Sequence, residues 1–414
     1  MKDKNILIIP HTPHVHVKVR SFEMARALST ENNVYYLLWD EVDDFTLLGR
    51  VKQQVAGLTI GRRKRPPSRP YTIRKQDDVT VLENVRRAYS PIWYAQKHNS
   101  QQIDRIIDEY KIDIVINASF VSSPVRKRDS LIYIYDIVDD PFDSGSGNMD
   151  RIRSRFIERE IAKADIVTAC SLTLAEYATR TWRKRVQYLP NGTDVSSFEA
   201  VLETEVEALR KRWVIEGKKV IGFISNFEPW NGLAFLARVF RRLCEKRTDT
   251  VLMLVGSGKG LDQARSEYGS MSNVILTGAI PPDKVAAYFK MIDVGVLPFD
   301  QCNLTDRALP IKIIEYSAAK KHVVAVPLVE LRRQKFPNVH LADRNVDLWA
   351  DAVDAAIGMS WNDEWDNRII QYDWARIIED KLVPYVQKAT RLSRNVANDE
   401  VPSRRKVLSY SQSK

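Results

Sequence analysis

The chain has 414 residues, a length that suits two domains better than one. Its 44% hydrophobic and 28% charged residues are typical of a globular protein, and no apolar run is long enough to cross a bilayer as a helix. The formal net charge of +10 indicates an acidic partner, such as nucleic acid, an anionic membrane or a phosphorylated substrate. The three cysteines lie far apart without metal-ligand spacing, which fits a reducing cytoplasm.

The first elements along the chain alternate between strands and helices. Apolar runs predict strands at 5–10 and 34–39, with a helix near 21–28 between them. This order is the opening of a right-handed βαβ unit. The loop after the first strand has no glycine, which argues against a dinucleotide site with the Gly-x-Gly-x-x-Gly pattern.

That first loop is polar and partly cationic. Three of the six histidines of the chain fall in it, but a zinc site is disfavoured because their spacing matches no common zinc module. We expect the loop to form a polar, partly cationic wall that can meet a phosphate, and the alternative is a loop that faces solvent. The side chains assigned to this wall are His11, His14, Lys18 and Arg20.

The segment Arg50–Lys75 carries nine Lys or Arg residues and no Asp or Glu. One interpretation is a solvated loop. The other is a surface that meets anionic lipid headgroups, where each basic residue contributes about 1 kcal/mol. The basic run at its centre, 62–69, has no interleaved aromatic residues, and the chain shows no helix-turn-helix, zinc or RNA-binding signature, so nucleic acid is not an expected partner.

Two buried strands are predicted at 113–117 and 131–135, because both are dense in β-branched and aromatic residues. The second continues into Asp136-Ile137-Val138-Asp139-Asp140. Carboxylates at the C-terminal end of a parallel strand lie where open α/β sheets bind ligands. Asp136 and Asp139 are therefore candidates for a general base, with helix capping as the alternative.

The second half of the chain repeats the strand–helix alternation. Strands are predicted at 220–224, 250–255 and 293–298, and the second of them runs into a Gly-Ser-Gly turn that begins at Gly256. Such a turn is weak evidence for a phosphate site by itself. Farther along, Asp306–Ala325 predicts a loop, a helix that starts near Pro310, and a buried strand, with Lys312 and Glu315 in the first helical turns.

This last stretch resembles glycosyltransferases of the two-Rossmann-domain type, called GT-B, and the GT4-like subset in particular. The shared pattern is P-x-K-x-x-E-Y-x-A-x-x-x-x-V-V-A, and P-N-G-x-D at 190–194 is similar to the hinge of that family. The resemblance implies an α/β fold of two Rossmann-like domains that face a cleft, with a C-terminal helix crossing back to the N-terminal domain. The implied parts are an acceptor-side domain at 1–200, a nucleotide-sugar domain at 201–365, the crossing helix at 366–390 and a disordered basic tail at 391–414. The resemblance also implies that the first loop faces the cleft, so that His11, His14, Lys18 and Arg20 would lie beside an acceptor or the donor phosphate.

The same resemblance implies donor contacts in the second domain. Glu315 would bind the ribose, and Lys312 would lie near the diphosphate, with Gly256 at the cleft. The family places an Arg and a Lys in the first loop of the second domain, where this chain has Asn226 and Asn231. Arg307 stands where many members have the first Glu of Glu-x7-Glu, so we expect it to share the phosphate charge, and the stereochemistry stays open.

The resemblance implies a transfer of a sugar from a nucleotide-sugar to a hydroxyl of a lipid-linked or polysaccharide acceptor, in cell-surface glycan or exopolysaccharide synthesis. It implies no cofactor and no metal. With the basic segment, it predicts a cytoplasmic protein held peripherally at the inner face of the cytoplasmic membrane. Three alternatives stay open: a nucleotide-sugar 2-epimerase on the same fold, an inactive descendant, and a non-catalytic protein that binds polyanions.

Overall fold

The structure is a computed structural model that describes residues 1–11, 19–39, 71–85, 92–120, 123–140 and 148–399. These residues form two α/β domains, each built on one sheet. The sequence prediction of two Rossmann-like domains is therefore confirmed.

The sheet of the first domain has eight strands. They are β1 Asn5–Ile9, β2 Asn33–Trp39, β3 Thr72–Gln76, β4 Val79–Val85, β5 Ile114–Asn117, β6 Ile132–Ile137, β7 Ile166–Ala169 and β8 Gln187–Tyr188. Their spatial order is β3-β4-β2-β1-β5-β6-β7-β8, and all neighbours are parallel except β3 and β4. Since β1, β5 and β6 are parallel, the carboxyl ends of β1 and β6 lie at the same edge of the sheet, on either side of β5.

The antiparallel pair β3–β4 is a hairpin that the sequence analysis did not predict. Its turn contains Asp77 and Asp78, which both have positive φ, at 50° and 61°. Two successive left-handed residues suit the twist of a two-residue hairpin, and Asp is one of the residues that tolerates this conformation. The first strand of the hairpin begins inside the basic segment Arg50–Lys75. The residues of that segment before Tyr71 lie outside the described part of the chain.

Helices cover both faces of the first sheet. They are Arg20–Ser29, Ile92–Glu109, Asn148–Lys163 and Leu172–Trp182. Apolar residues at helical spacing, such as Ile103, Ile106 and Ile107, pack against one face, and Phe22 and Leu28 of the first helix pack against the other.

The sheet of the second domain has six parallel strands, in the order β11-β10-β9-β12-β13-β14. The strands are β9 Lys219–Ile224, β10 Thr250–Val255, β11 Val274–Gly278, β12 Val294–Leu297, β13 His322–Ala325 and β14 Val339–Leu341. Its α-helices are Glu203–Arg212, Leu233–Cys244, Leu261–Tyr268, Val285–Met291, Asn303–Arg307, Ile311–Ala318, Val329–Gln334 and Val346–Ile357.

The C-terminal segment returns to the first domain. Trp374 and Leu382 are buried in the cluster that also contains Ile8 and Phe22. The segment consists of an α-turn at Trp374–Ile377, a π-helical turn at Ile378–Leu382 and a helix at Val383–Asp399. That last helix reaches into the segment 391–414, where the sequence analysis predicts a disordered tail, and residues 400–414 lie outside the described part of the chain. Among the described residues, no helix combines the length and the apolar character that a bilayer crossing needs.

Candidate active site between the two domains

The two domains meet where the strands of each sheet end. The loop after β6 in the first domain contacts the segment that precedes the helix Ile311–Ala318 in the second, through an ion pair between Asp140 and Arg307. The hinge at 190–194 lies close by, since the Asn191 side-chain amide donates to the backbone carbonyl of Leu309 over 2.7 Å. This places the predicted acceptor-side carboxylates beside the predicted donor segment.

Asp136 is buried and bound on both of its carboxylate oxygens. Arg20 donates to them from Nε over 2.9 Å and from Nη2 over 3.1 Å, and the Thr168 hydroxyl donates over 2.7 Å. Such a bidentate pair is strong and leaves little room for a substrate hydroxyl. We therefore assign a structural role to Asp136, which differs from the expectation that it competes with Asp139 as a general base.

Arg20 likewise has a role that the sequence did not indicate. Its guanidinium is buried, donates to the hinge carbonyls of Leu189 and Pro190, and lies 5.5 Å from the centroid of the Trp374 ring. It was predicted to face an acceptor or a phosphate. Instead it joins the first helix, the end of β6, the hinge and the crossing segment, because a guanidinium has five donors in a rigid fork.

Asp139 differs from Asp136 in its surroundings. Its side chain reaches solvent. Desolvation by the protein around it nevertheless raises the pKa of Asp139 to about 6. Arg20 opposes that rise, and the neighbouring carboxylate of Asp140 adds to it. A carboxylate that titrates near neutral pH and reaches solvent is suited to general-base chemistry.

Arg307 is engaged by the first domain. Besides its ion pair with Asp140, its guanidinium lies 3.7 Å from the centroid of the Tyr177 ring, and its backbone carbonyl accepts a hydrogen bond from the Ser171 hydroxyl. The expectation that Arg307 shares the donor phosphate charge is therefore not the arrangement found. A guanidinium that is paired with a carboxylate and stacked on an aromatic ring stabilises the contact between the domains and is not free to bind a ligand.

Lys312 and Glu315 lie together at the start of the helix Ile311–Ala318. The Lys312 Nζ is 2.6 Å from Glu315 Oε2, the Glu315 residue is 1% exposed, and the Lys312 side chain is 21% exposed. Pro310 precedes the helix without a side-chain cap, which leaves the first N–H groups available to a ligand. A helix start with a lysine beside it can hold a phosphate, and a buried carboxylate can accept hydrogen bonds from sugar hydroxyls.

Gly256 and Asn226 lie on two loops that pack closely, after β10 and β9. Gly256 has φ +133°, and a Cβ there would lie 1.9 Å from the Ser225 carbonyl oxygen, so only glycine fits. Asn226 is exposed on the facing loop. Lys259, also exposed in the Gly256 loop, has no carboxylate partner among the described residues, and the sequence analysis did not include it among the candidate site residues.

The remaining predicted residues lie at the end of β1 or outside the described residues. The imidazole of His11 lies 6.0 Å from the ring of Phe120, measured between centroids. His14 and Lys18 are outside the described residues. No cluster of three or more His, Cys, Asp or Glu that would suit a metal is found in the described part of the chain.

A second contact between the domains was also missed. Glu330 is fully buried, and its carboxylate accepts hydrogen bonds from the backbone N–H groups of Leu172 and Thr173, over 3.0 and 2.8 Å. These are the first N–H groups of the helix Leu172–Trp182. A carboxylate from the second domain thus caps a helix of the first, a favourable position for a negative charge.

Comparisons with known proteins show which parts of the chain have relatives. Residues 218–358 match the family Glycosyl transferases group 1. TuaH of Bacillus subtilis, named for teichuronic acid biosynthesis, is 27% identical over 220 residues, which are 50% of this chain and 53% of TuaH. A GDP-mannose-dependent α-(1-6)-phosphatidylinositol monomannoside mannosyltransferase of Mycolicibacterium smegmatis is 25% identical over 47% of this chain and 52% of its own. The chain thus spans about half the length of the curated relatives it matches.

Solved structures show the same fold over most of the chain. A sucrose-phosphate synthase from Thermosynechococcus elongatus superposes with a TM-score of 0.62 at 14% identity, covering 96% of this chain and 100% of its own. HepE from Anabaena, solved with UDP and glucose, superposes with a TM-score of 0.56 at 13% identity, covering 96% and 99%. Residues 218–358 thus match the glycosyl transferases group 1 family, and the described part of the chain has the GT-B fold.

Proposed function

We propose that this protein is a glycosyltransferase that moves a sugar from a nucleotide-sugar to a hydroxyl of a lipid-linked or polysaccharide acceptor in cell-surface glycan synthesis. The observation that carries the proposal is the buried carboxylate of Glu315, held by Lys312 at an uncapped helix start beside the cleft. HepE, a neighbour in fold, was solved with UDP-glucose as well as with UDP, which supports a nucleotide-sugar donor.

The donor would lie against the second domain. Its ribose hydroxyls would donate to Glu315 in place of Lys312, which would release the ammonium group toward the diphosphate. The open N–H groups of the helix start and the ammonium of Lys259 would add positive charge there. Fixed positive charge stabilises the departing nucleoside diphosphate, which is the principal electrostatic requirement of the transfer.

The acceptor would enter from the first domain, with Asp139 as the general base. As the bond between the anomeric carbon and the diphosphate oxygen breaks, the acceptor oxygen bonds to that carbon and its proton passes to the Asp139 carboxylate. Asp139 suits this step better than Asp136 does, because both oxygens of Asp136 are bound by Arg20 and Thr168. No cofactor has a part in this scheme.

We also propose that the protein works at the inner face of the cytoplasmic membrane, as a lipid-linked acceptor requires. The predicted membrane contact through Arg50–Lys75 stays a prediction, because residues 50–70 lie outside the described part of the chain. The phosphatidylinositol substrate in the name of the mycobacterial relative supports a lipid acceptor in this group of proteins.

The test is release of UDP or GDP from a panel of nucleotide-sugars, with and without a lipid extract as acceptor source. We expect release that depends on the extract, and loss of that release in Asp139→Asn. The matched control is Asp283→Asn, since Asp283 is an exposed carboxylate of the second domain in a turn after β11. Release without any acceptor, together with an altered sugar configuration, would instead support the 2-epimerase alternative.

A further inference from the structure

An aromatic and cationic surface lies at the rim of the first domain. Trp93 and Tyr94, in the first turn of the helix Ile92–Glu109, are 70% and 48% exposed. Their ring centroids are 6.1 Å apart, and the Tyr94 ring stacks on His98 at 6.0 Å. Two adjacent exposed rings form an apolar patch, and such patches, more than single exposed apolar side chains, mark surfaces that contact another surface.

Basic residues flank these two rings. The neighbouring helix Asn148–Lys163 exposes Arg151, Arg155 and Arg159, which are spaced four residues apart and therefore share one helix face. Lys97 lies one turn after Trp93 and is also exposed. Among the described residues, Lys97, Arg151 and Arg155 have no carboxylate within ion-pair distance.

One hydrogen bond sets the two helices in register. The Arg159 guanidinium donates to the Gln96 side-chain carbonyl over 2.9 Å. Both helices follow parallel strands and precede parallel strands, so they run in the same direction. An α-helix rises about 1.5 Å per residue. Along the helix axes, Trp93 therefore lies about 4.5 Å before Gln96, and Arg155 lies about 6 Å before Arg159, so Trp93 and Arg155 are at nearly the same height on the two helices.

The location of this surface connects it to the cleft. Each helix starts after the carboxyl end of a strand, β4 and β6 respectively, and β6 is the strand that leads to Asp139. The exposed rings and the guanidinium groups therefore lie at the same edge of the sheet as the candidate general base. Among the described side chains beside the two rings, Glu158 is an exposed carboxylate, whereas Lys97, Arg151 and Arg155 are cations that are exposed or partly exposed. The net charge of this surface is therefore positive.

We propose that this surface, formed by Trp93, Tyr94, Lys97, Arg151 and Arg155, docks on an anionic lipid bilayer. Trp and Tyr rings favour the headgroup level of a bilayer, where an apolar ring with a polar edge is stable. Basic residues beside them are attracted to the negative surface potential of anionic lipids. Docking there would bring a lipid-linked acceptor to Asp139, and this last step alone rests on the proposed function.

The test is co-sedimentation of the full chain with phosphatidylcholine vesicles, with and without phosphatidylglycerol. We expect binding that requires phosphatidylglycerol and weakens as salt is added, because exposed charges are screened over about 8 to 10 Å. Arg151→Gln with Arg155→Gln should weaken binding by about tenfold to thirtyfold, the effect of two basic residues. Trp93→Ser with Tyr94→Ser should weaken it by a similar factor.

Matched controls come from the second domain. Leu202→Ser with Val214→Ser removes two apolar side chains that are 63% and 83% exposed, and Lys211→Gln with Arg212→Gln removes two exposed charges from a helix. Both control variants should bind vesicles as the unmodified chain does. Tryptophan emission should shift to the blue on vesicle binding, and the shift should shrink in the Trp93 variant.

Three results would overturn the proposal. They are absence of binding to anionic vesicles at low salt, unchanged binding in both surface variants, and equal competition by soluble nucleic acid or by an acidic polysaccharide. All variants should keep the thermal unfolding midpoint and the nucleotide affinity of the unmodified chain, since the altered side chains are exposed. Failure of docking is therefore distinguishable from failure of the proposed donor chemistry.

Discussion

Arg307 of the second domain and Asp140 of the first form an ion pair across the cleft. The Asp140 side chain is fully buried and the Arg307 side chain is 21% exposed, so the pair is largely removed from water. A pair in this position couples the arrangement of the domains to the loop that carries Asp139. Because the Arg307 guanidinium is engaged by Asp140, a donor phosphate would depend on other cations.

Removal of one partner of this pair should destabilise the protein strongly. We expect Arg307→Gln to lower the free energy of unfolding by about 3 kcal/mol, because it leaves the carboxylate of Asp140 buried without its guanidinium. The double variant Arg307→Gln with Asp140→Asn should recover part of that loss. Chemical denaturation of the three variants measures the coupling, and an additive double variant would show that the two residues act independently.

The pKa of Asp139 sets the expected pH dependence of transfer. A general base must be ionised, so the rate should fall about tenfold per pH unit below pH 6 and be level above it. A pH profile of nucleotide release at saturating donor measures this. A profile that stays flat from pH 5 to 7 would rule out Asp139 as the base.

Asp139→Asn should also stabilise the protein slightly. Because the folded state raises the pKa of Asp139 from 3.8 to about 6, the carboxyl favours folding when protonated, and this contribution is lost as pH rises from about 4 to 6. The neutral amide avoids the loss. Since the side chain reaches solvent, we expect a gain below about 1 kcal/mol at pH 7 that is absent at pH 4. Thermal unfolding at the two pH values measures it.

The Glu330 carboxylate should matter more than other charges between the domains. Glu330→Ala removes the acceptor for the N–H groups of Leu172 and Thr173, and we expect a loss of about 2 to 3 kcal/mol. The control is Glu176→Gln, since Glu176 pairs with Arg333 at the surface, where such a pair contributes about 1 kcal/mol or less. Equal unfolding midpoints for the two variants would contradict the capping role.

Gly256→Ala should impair nucleotide binding. The added methyl group would meet the Ser225 carbonyl oxygen, and the positive φ would strain an alanine, so the loop with Lys259 must move. Gly217→Ala is the matched control, because Gly217 has φ +72° and no atom within 4 Å of the new Cβ. It should cost about 1 kcal/mol of stability and leave the nucleotide affinity unchanged.

Much of the fold was predictable because its signals are local. The predicted strand 34–39 is one residue shorter than the observed strand Asn33–Trp39. The predicted helix start near Pro310 is also confirmed. Both predictions depend only on the spacing of apolar residues and the position of a proline within a few residues of sequence. The hairpin Thr72–Val85 was missed because its first strand, Thr72–Gln76, is polar and basic and lacks a clear strand pattern. Only the pair Asp77-Asp78 signalled its turn.

The partners of the site residues were not predictable in the same way. Arg20 and Asp136 are 116 positions apart in sequence, and Asp140 and Arg307 are 167 apart. A sequence shows which residues are charged but not which of them come into contact after folding. From sequence alone, a charged residue that forms an internal ion pair therefore cannot be distinguished from one that binds a ligand. Lys312 and Glu315 were recognisable because they are three residues apart on one helix.

Calorimetric titration of UDP and GDP into the unmodified chain, Glu315→Ala and Glu216→Ala tests the central claim most directly. Glu216 is an exposed glutamate in the turn before β9, at the opposite edge of the same sheet. The account predicts that one nucleotide binds, that Glu315→Ala loses this binding, and that Glu216→Ala keeps it. If neither nucleotide binds the unmodified chain, or if Glu315→Ala binds as tightly as the unmodified chain does, the donor site proposed at Lys312 and Glu315 is contradicted.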